Sequence, residues 1–116
     1  MSSPFLRRVN ESLKEAIADE ISRLKDPGLG FVTITGVDTA PDLRSARVYY
    51  TSLGDEVQVA ETESALERAH PHLRSALGRR VRIKYLPELR FQRDPAIEQG
   101  HRIESLLARL RAEEGE

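Results

Sequence analysis

A chain of 116 residues with no cysteine, 32% charged residues and a formal net charge of −1 has room for one hydrophobic core. Disulfides and thiolate metal sites are excluded, and so is a uniformly basic nucleic-acid binder; any affinity for phosphate must come from local segregation of charge. Glu11, Glu15, Asp19 and Glu20 interrupt the N-terminal segment, and no run approaches the ~20 apolar residues of a membrane span, so the expected location is the cytoplasm.

Ser3-Pro4 predicts a helix start, a hydroxyl cap followed by proline in the first turn. Val9, Leu13, Ala16, Ile17, Ile21 and Leu24 recur at spacings of three and four, one apolar helical face, with Lys25 in the last turn. Asp26-Pro27-Gly28-Leu29-Gly30 ends it. Phe31–Val37 reads as a strand whose alternation slips at Gly36, which predicts a bulge. After a turn at Ala40-Pro41-Asp42, Ala46, Val48 and Tyr50 alternate with Arg47, Tyr49 and Thr51 as a second, antiparallel strand. Asp55 and Gln58 predict a capping box for the next helix.

That helix meets Ala69-His70-Pro71, where proline removes a hydrogen bond, so the reading is two helices joined by a kink. The second is expected to end at Gly78 and to lead into a strand, Arg79–Tyr85. There Val81, Ile83 and Tyr85 face the core and Arg80, Arg82 and Lys84 face outward. Pro87 predicts a bulge or edge, with extended chain continuing to Gln92. Asp94-Pro95 starts a terminal helix, residues 95–111, carrying an Ile103, Leu106, Leu107 and Leu110 stripe that is expected to pack on the sheet or first helix. An acidic tail, 112–116, is expected to fray. The whole is read as a single domain over residues 1–111. Its class is α+β, with three strands and helices packed on one face.

Charge is segregated along the chain. Asp55 to Glu67 holds five acids and no base, whereas Arg68 to Arg93 holds eight basic residues against the single acid Glu88. A basic strand fed by a helix break is the pattern of a surface for nucleic-acid backbone, since each arginine can hold a phosphate without reading a base.

In this order the motifs resemble the bacterial ribosome-binding factor A family. They are Lys25-Asp26-Pro27-Gly28-Leu29-Gly30, Val32-Thr33-Ile34-Thr35-Gly36-Val37, Asp42-Leu43 with Ala46-Arg47-Val48-Tyr49, Leu73-Arg74 with Leu77-Gly78, and Pro87-Glu88-Leu89-Arg90-Phe91 with Asp94, Glu98, Gly100 and Arg102-Ile103. The resemblance covers nearly the whole chain. It implies a KH-like fold of type II, α-β-β-α-kink-α-β, and a factor that binds the small ribosomal subunit and supports maturation of the 5′ end of its rRNA. It also implies a kink of Ala-x-Gly form, to which Ala69-His70-Pro71 corresponds with proline in place of glycine.

The candidate RNA-binding residues are Arg74, Arg79, Arg80, Arg82 and Lys84, extended by Arg90 and Arg93, with Arg7 and Arg8 on the first helix. His70 and His72 are read either as surface residues or as a pair touching RNA; with His101 distant they do not make a metal set. Tyr50, Tyr85, Phe31 and Phe91 are assigned to packing, and Tyr49 is expected on the outer sheet face. Asp26, Asp42 and Asp94 have turn and cap roles. No nucleophile–base pair or phosphate loop emerges, so neither catalysis nor a cofactor is expected. The expected partners are the small subunit, its rRNA and other assembly factors, bound by a monomer. The alternatives are a generic KH-type single-stranded RNA module, a small metal hydrolase using the histidines, and a protein adaptor using the terminal stripe.

Overall fold

The computed structural model describes residues 3–114, and the side chains within that span except those of residues 97–105 and 114. The elements run α1 (Pro4–Ser22), β1 (Val32–Thr39), β2 (Ser45–Ser52), α2 (Glu56–Arg80), β3 (Glu88–Arg93) and α3 (Pro95–Glu114). This is the expected α+β arrangement of a three-stranded mixed sheet with helices. The sheet has the order β1-β2-β3; β1 and β2 are antiparallel, β2 and β3 parallel.

Local chemistry sets most of the boundaries. The Ser3 hydroxyl accepts from the Leu6 N–H at 3.1 Å and starts α1. Asp55 and Gln58 satisfy each other's backbone N–H groups at 2.8 Å, the predicted capping box at the start of α2. The carboxylates of Asp26, Asp42 and Asp94 each accept the backbone N–H two residues on, which closes their turns. The β1–β2 register slips between Ile34 and Gly36, at the predicted bulge. α1 stops at Ser22, so Lys25 lies in the following turn and not in the helix.

The core fills the space between the helices and one sheet face. Leu13 and Ile17 of α1, Val48 and Tyr50 of β2, Leu66, Leu73 and Leu77 of α2, and Leu89 of β3 are all buried in it. Tyr50 meets the Phe91 ring edge-on, with centroids 6.5 Å apart. Each fully buried side chain of this kind stabilises by about 1.5–3 kcal/mol.

Three expectations are corrected here. First, α2 is one helix of 25 residues with Pro71 inside it. Ala69 and Leu73 are anchored in the core on either side, while Glu67 and Pro71 are exposed, so the missing N–H···O=C bond lies on the solvent side. Core packing thus carries the helix past a residue that would end an isolated one.

Second, residues 79–85 are not a strand. The helix passes through Gly78, and Arg79 and Arg80 form its last turn, where cations suit the helix dipole. Val81 N–H closes that turn on the Leu77 carbonyl at 2.9 Å, and Ile83 N–H bonds the Val81 carbonyl at 3.1 Å in a tight three-residue turn. The third strand is Glu88–Arg93, preceded by a fully buried Pro87. Val81 and Ile83 do lean on the core, but Tyr85 is 73% exposed.

Third, Phe31 is 81% exposed and does not join the core. Leu106, Leu107 and Leu110 of α3 lie open to solvent instead of packing, and the helix runs past residue 111 to Glu114. The expectation for Ile103 falls outside the described side chains.

Candidate nucleic-acid interface

The basic residues occupy three different environments. The first is structural. Arg68, on α2, forks onto Asp26 with contacts of 3.1 and 3.2 Å, and Gly28 N–H adds a third bond to the same carboxylate at 2.9 Å. The Arg68 guanidinium, and then the Gly28 N–H, hold the Asp26 carboxyl below the usual aspartate value. Arg80 is likewise engaged: its Nη1 donates to Asp19 at 2.6 Å and to Glu20 at 3.1 Å on α1. Both carboxylates, Asp19 more than Glu20, raise the guanidinium above its usual value. Sequence reasoning treated Arg80 as a leading RNA contact; the structure spends it on fastening the end of α2 to α1.

The second environment is intermediate. Arg74 is half-buried and donates to the Pro87 carbonyl at 3.2 Å, holding the loop before β3. Arg93 is half-buried and pairs in register with Tyr50, on the core side of the sheet. His72 Nε2 stands 3.9 Å from Glu20, too far for a hydrogen bond. His70 is half-buried, and its Nε2 has no hydrogen-bond partner among the described residues.

The third environment is open. Arg79, Arg82 and Lys84 are exposed at the end of α2 and in the loop after it. Among the described residues Arg79 bonds the Ser75 hydroxyl alone, Lys84 lies 5.5 Å over the Tyr85 ring, and Arg82 has no partner. Arg8, from the first turns of α1, comes to the same place: it lines one groove with Arg80 and Arg82. Arg7 is exposed on the same helix. Arg90 is elsewhere. It is exposed on the outer sheet face, opposite Arg47 in the β2–β3 register and two residue pairs from Tyr49.

The structure therefore gathers Arg8, Arg79, Arg82 and Lys84 around the end of α2 and separates them from Arg90 and Arg93. Sequence reasoning missed two residues of this region, Phe5 and Glu15, which line the same groove. Phe5 had a signal: it lies four residues before Val9, one turn further along the same apolar stripe. Among the described residues no group of three or more His, Asp or Glu side chains is placed to hold a metal ion, and no helix is long and apolar enough to cross a membrane.

Residues 6–107 match the family model for ribosome-binding factor A. The chain belongs to the ribosome-binding factor A family. Among its relatives of that name, the protein of Acidothermus cellulolyticus is 45% identical over 95% of this chain and 74% of its own length. That of Staphylococcus carnosus is 43% identical over 95% and 96%. The crystal structure of the Thermus thermophilus factor superposes with a TM-score of 0.69 at 35% identity, covering 76% of this chain and 94% of that one. A homology model of the Thermus thermophilus factor, fitted into a cryo-EM map of its complex with the 30S subunit, matches with a TM-score of 0.61 at 37% identity. It covers 74% of this chain and 91% of that one. The fold read from the family resemblance is thus the fold of solved family members. The position of the kink implied by the resemblance, Ala69-His70-Pro71, lies inside α2, which is carried through as one helix.

Proposed function

We propose that this chain binds the small ribosomal subunit through its rRNA, and that by doing so it supports maturation of the 5′ end of that rRNA without itself catalysing a reaction. The observation that carries the reading is the 30S complex of the Thermus thermophilus relative, which shares 37% identity and the same fold. Physical support comes from the open cations Arg8, Arg79, Arg82 and Lys84, which have no carboxylate partner among the described residues. A kink at Ala69-His70-Pro71 belongs to the same proposal: it orients the last turns of α2, and with them this cluster, toward the RNA. Arg74 and Arg93 then serve mainly to hold that geometry, His70 and His72 flank Pro71 beside the contact, and Arg90 and Arg7 sit at its margin.

Backbone contacts of this kind release counterions, so affinity falls with salt. The test is co-sedimentation of the purified protein with separated small subunits, large subunits and whole ribosomes at low and high salt. Primer extension of rRNA 5′ ends in cells lacking the protein accompanies it. The expected result is pelleting with free small subunits, lost as salt rises, and unprocessed 5′ ends in the deletion. Equal binding to every particle, or tight binding only to short naked strands, would instead favour a generic KH-type RNA module.

A further inference from the structure

Between the first half of α1 and the loop after α2 runs a groove of about 600 Å³, within the range of about 300–1,000 Å³ typical of small-molecule sites. One wall is apolar: Val9 is buried, and Ile83 leans on the core. At the rim Phe5 keeps 50% of its surface in water. Three cations line the same groove, and two of them, Arg8 and Arg82, are exposed and unpartnered among the described residues. The third, Arg80, is already neutralised by Asp19 and Glu20. Glu15 is the carboxylate of the lining and makes no ion pair among the described residues.

An uncovered ring beside an apolar wall fits the flat face of an unstacked base. Two unpaired arginines fit the phosphates on either side of it. The acidic residue narrows the choice. A carboxylate only accepts hydrogen bonds, and it would repel phosphate, so its place in a basic groove calls for a donor. Guanine alone among the four bases offers two adjacent donors, N1–H and the N2 amino group, on its Watson–Crick edge, matching the two carboxylate oxygens. We propose that this groove receives one unstacked guanine nucleotide of the RNA, its base against Phe5 and Ile83, its Watson–Crick edge on Glu15, and its flanking phosphates on Arg8 and Arg82. This rests on the RNA-binding reading above and adds a base preference to it.

The test is fluorescence anisotropy of the full chain with short labelled RNAs, UUGUU, UUUUU and UUIUU, in which inosine lacks the N2 amino group. UUGUU is expected to bind tighter than UUUUU by at least about fivefold, with UUIUU between them. Glu15→Gln should erase the preference. Phe5→Ala should weaken binding of UUGUU, and Phe5→Tyr should restore it, because the tyrosine ring still stacks. Equal affinity for the three RNAs overturns the proposal, as does full binding by Phe5→Ala. The wild-type series decides by itself, whatever the variants do to folding. Sedimentation separates the two levels of failure. Wild-type protein that pellets with small subunits but shows no guanine preference loses only the groove; protein that neither pellets nor binds RNA loses the functional reading with it.

Discussion

Arg80 and Arg82 stand two residues apart in sequence and do opposite work. Arg80 closes α2 onto α1 through Asp19 and Glu20, as Arg68 closes the Lys25–Gly30 turn onto α2 through Asp26. Arg82, with Arg79, Lys84 and Arg8, leaves its charge in solvent. The eight basic residues between Arg68 and Arg93 therefore do not form one surface. A cation already held by a carboxylate has little left to offer a phosphate, and removing it leaves a carboxylate unpaired, which costs stability. Pairing, more than density of charge, separates the scaffold from the interface.

The sharpest way to break this division is to reverse the open cluster. Arg82→Glu and Lys84→Glu together should weaken small-subunit binding at least tenfold, roughly 1.4 kcal/mol or more, with an unchanged thermal midpoint by circular dichroism. Pro71→Ala probes the joint between the two regions. It restores a helical hydrogen bond where proline costs up to about 3 kcal/mol, so chemical denaturation should show a more stable protein. The kink proposed at Ala69-His70-Pro71 predicts that subunit binding falls at the same time. Gly28→Ala tests the scaffold alone. The added Cβ would lie 2.9 Å from Arg68 Nη2 and 3.3 Å from the Glu61 carbonyl, costing about 1–3 kcal/mol in a urea melt and leaving binding intact.

The smallest effect is expected from pH. Asp26 titrates below its ordinary value of 3.8 because Arg68 and the Gly28 N–H favour the charged form. A carboxyl with a depressed folded-state pKa contributes stability that is complete above the unfolded value and is lost as pH falls through the folded one. The stability difference between wild type and Asp26→Asn should therefore hold steady at neutral pH and shrink below pH 3.8. A difference that grows in acid would contradict the latch.

The sequence displays the first half of this fold well, because it is written in local signals. Ser3, the Asp55–Gln58 pair and the slip at Gly36 act within a few residues of themselves, and the structure uses each as expected. The second half is decided at a distance. Nothing near Pro71 says that Ala69 and Leu73 will both be held by the core, yet that is what keeps α2 whole. Val81 and Ile83 alternate like a strand, and they do face inward. Which segment pairs with β2, however, depends on a register that only the folded sheet supplies, and Glu88–Arg93 takes it.

The candidate site follows the same rule. Its open members, Arg79, Arg82 and Lys84, were legible from charge and alternation. That Arg80 is spent was not, because its partner Asp19 lies 61 residues away. Nor was the arrival of Phe5, Arg8 and Glu15 beside Arg82, which needs α1 laid against the end of α2.

The most direct test is the salt dependence of small-subunit binding by wild type, Arg82→Ala and Arg80→Ala, measured side by side with their thermal midpoints. The account predicts that Arg82→Ala lowers the log–log salt slope by about 0.7–0.9, one phosphate contact, at an unchanged midpoint, whereas Arg80→Ala keeps the slope and lowers the midpoint. A reduced slope for Arg80→Ala with Arg82→Ala indistinguishable from wild type would contradict it.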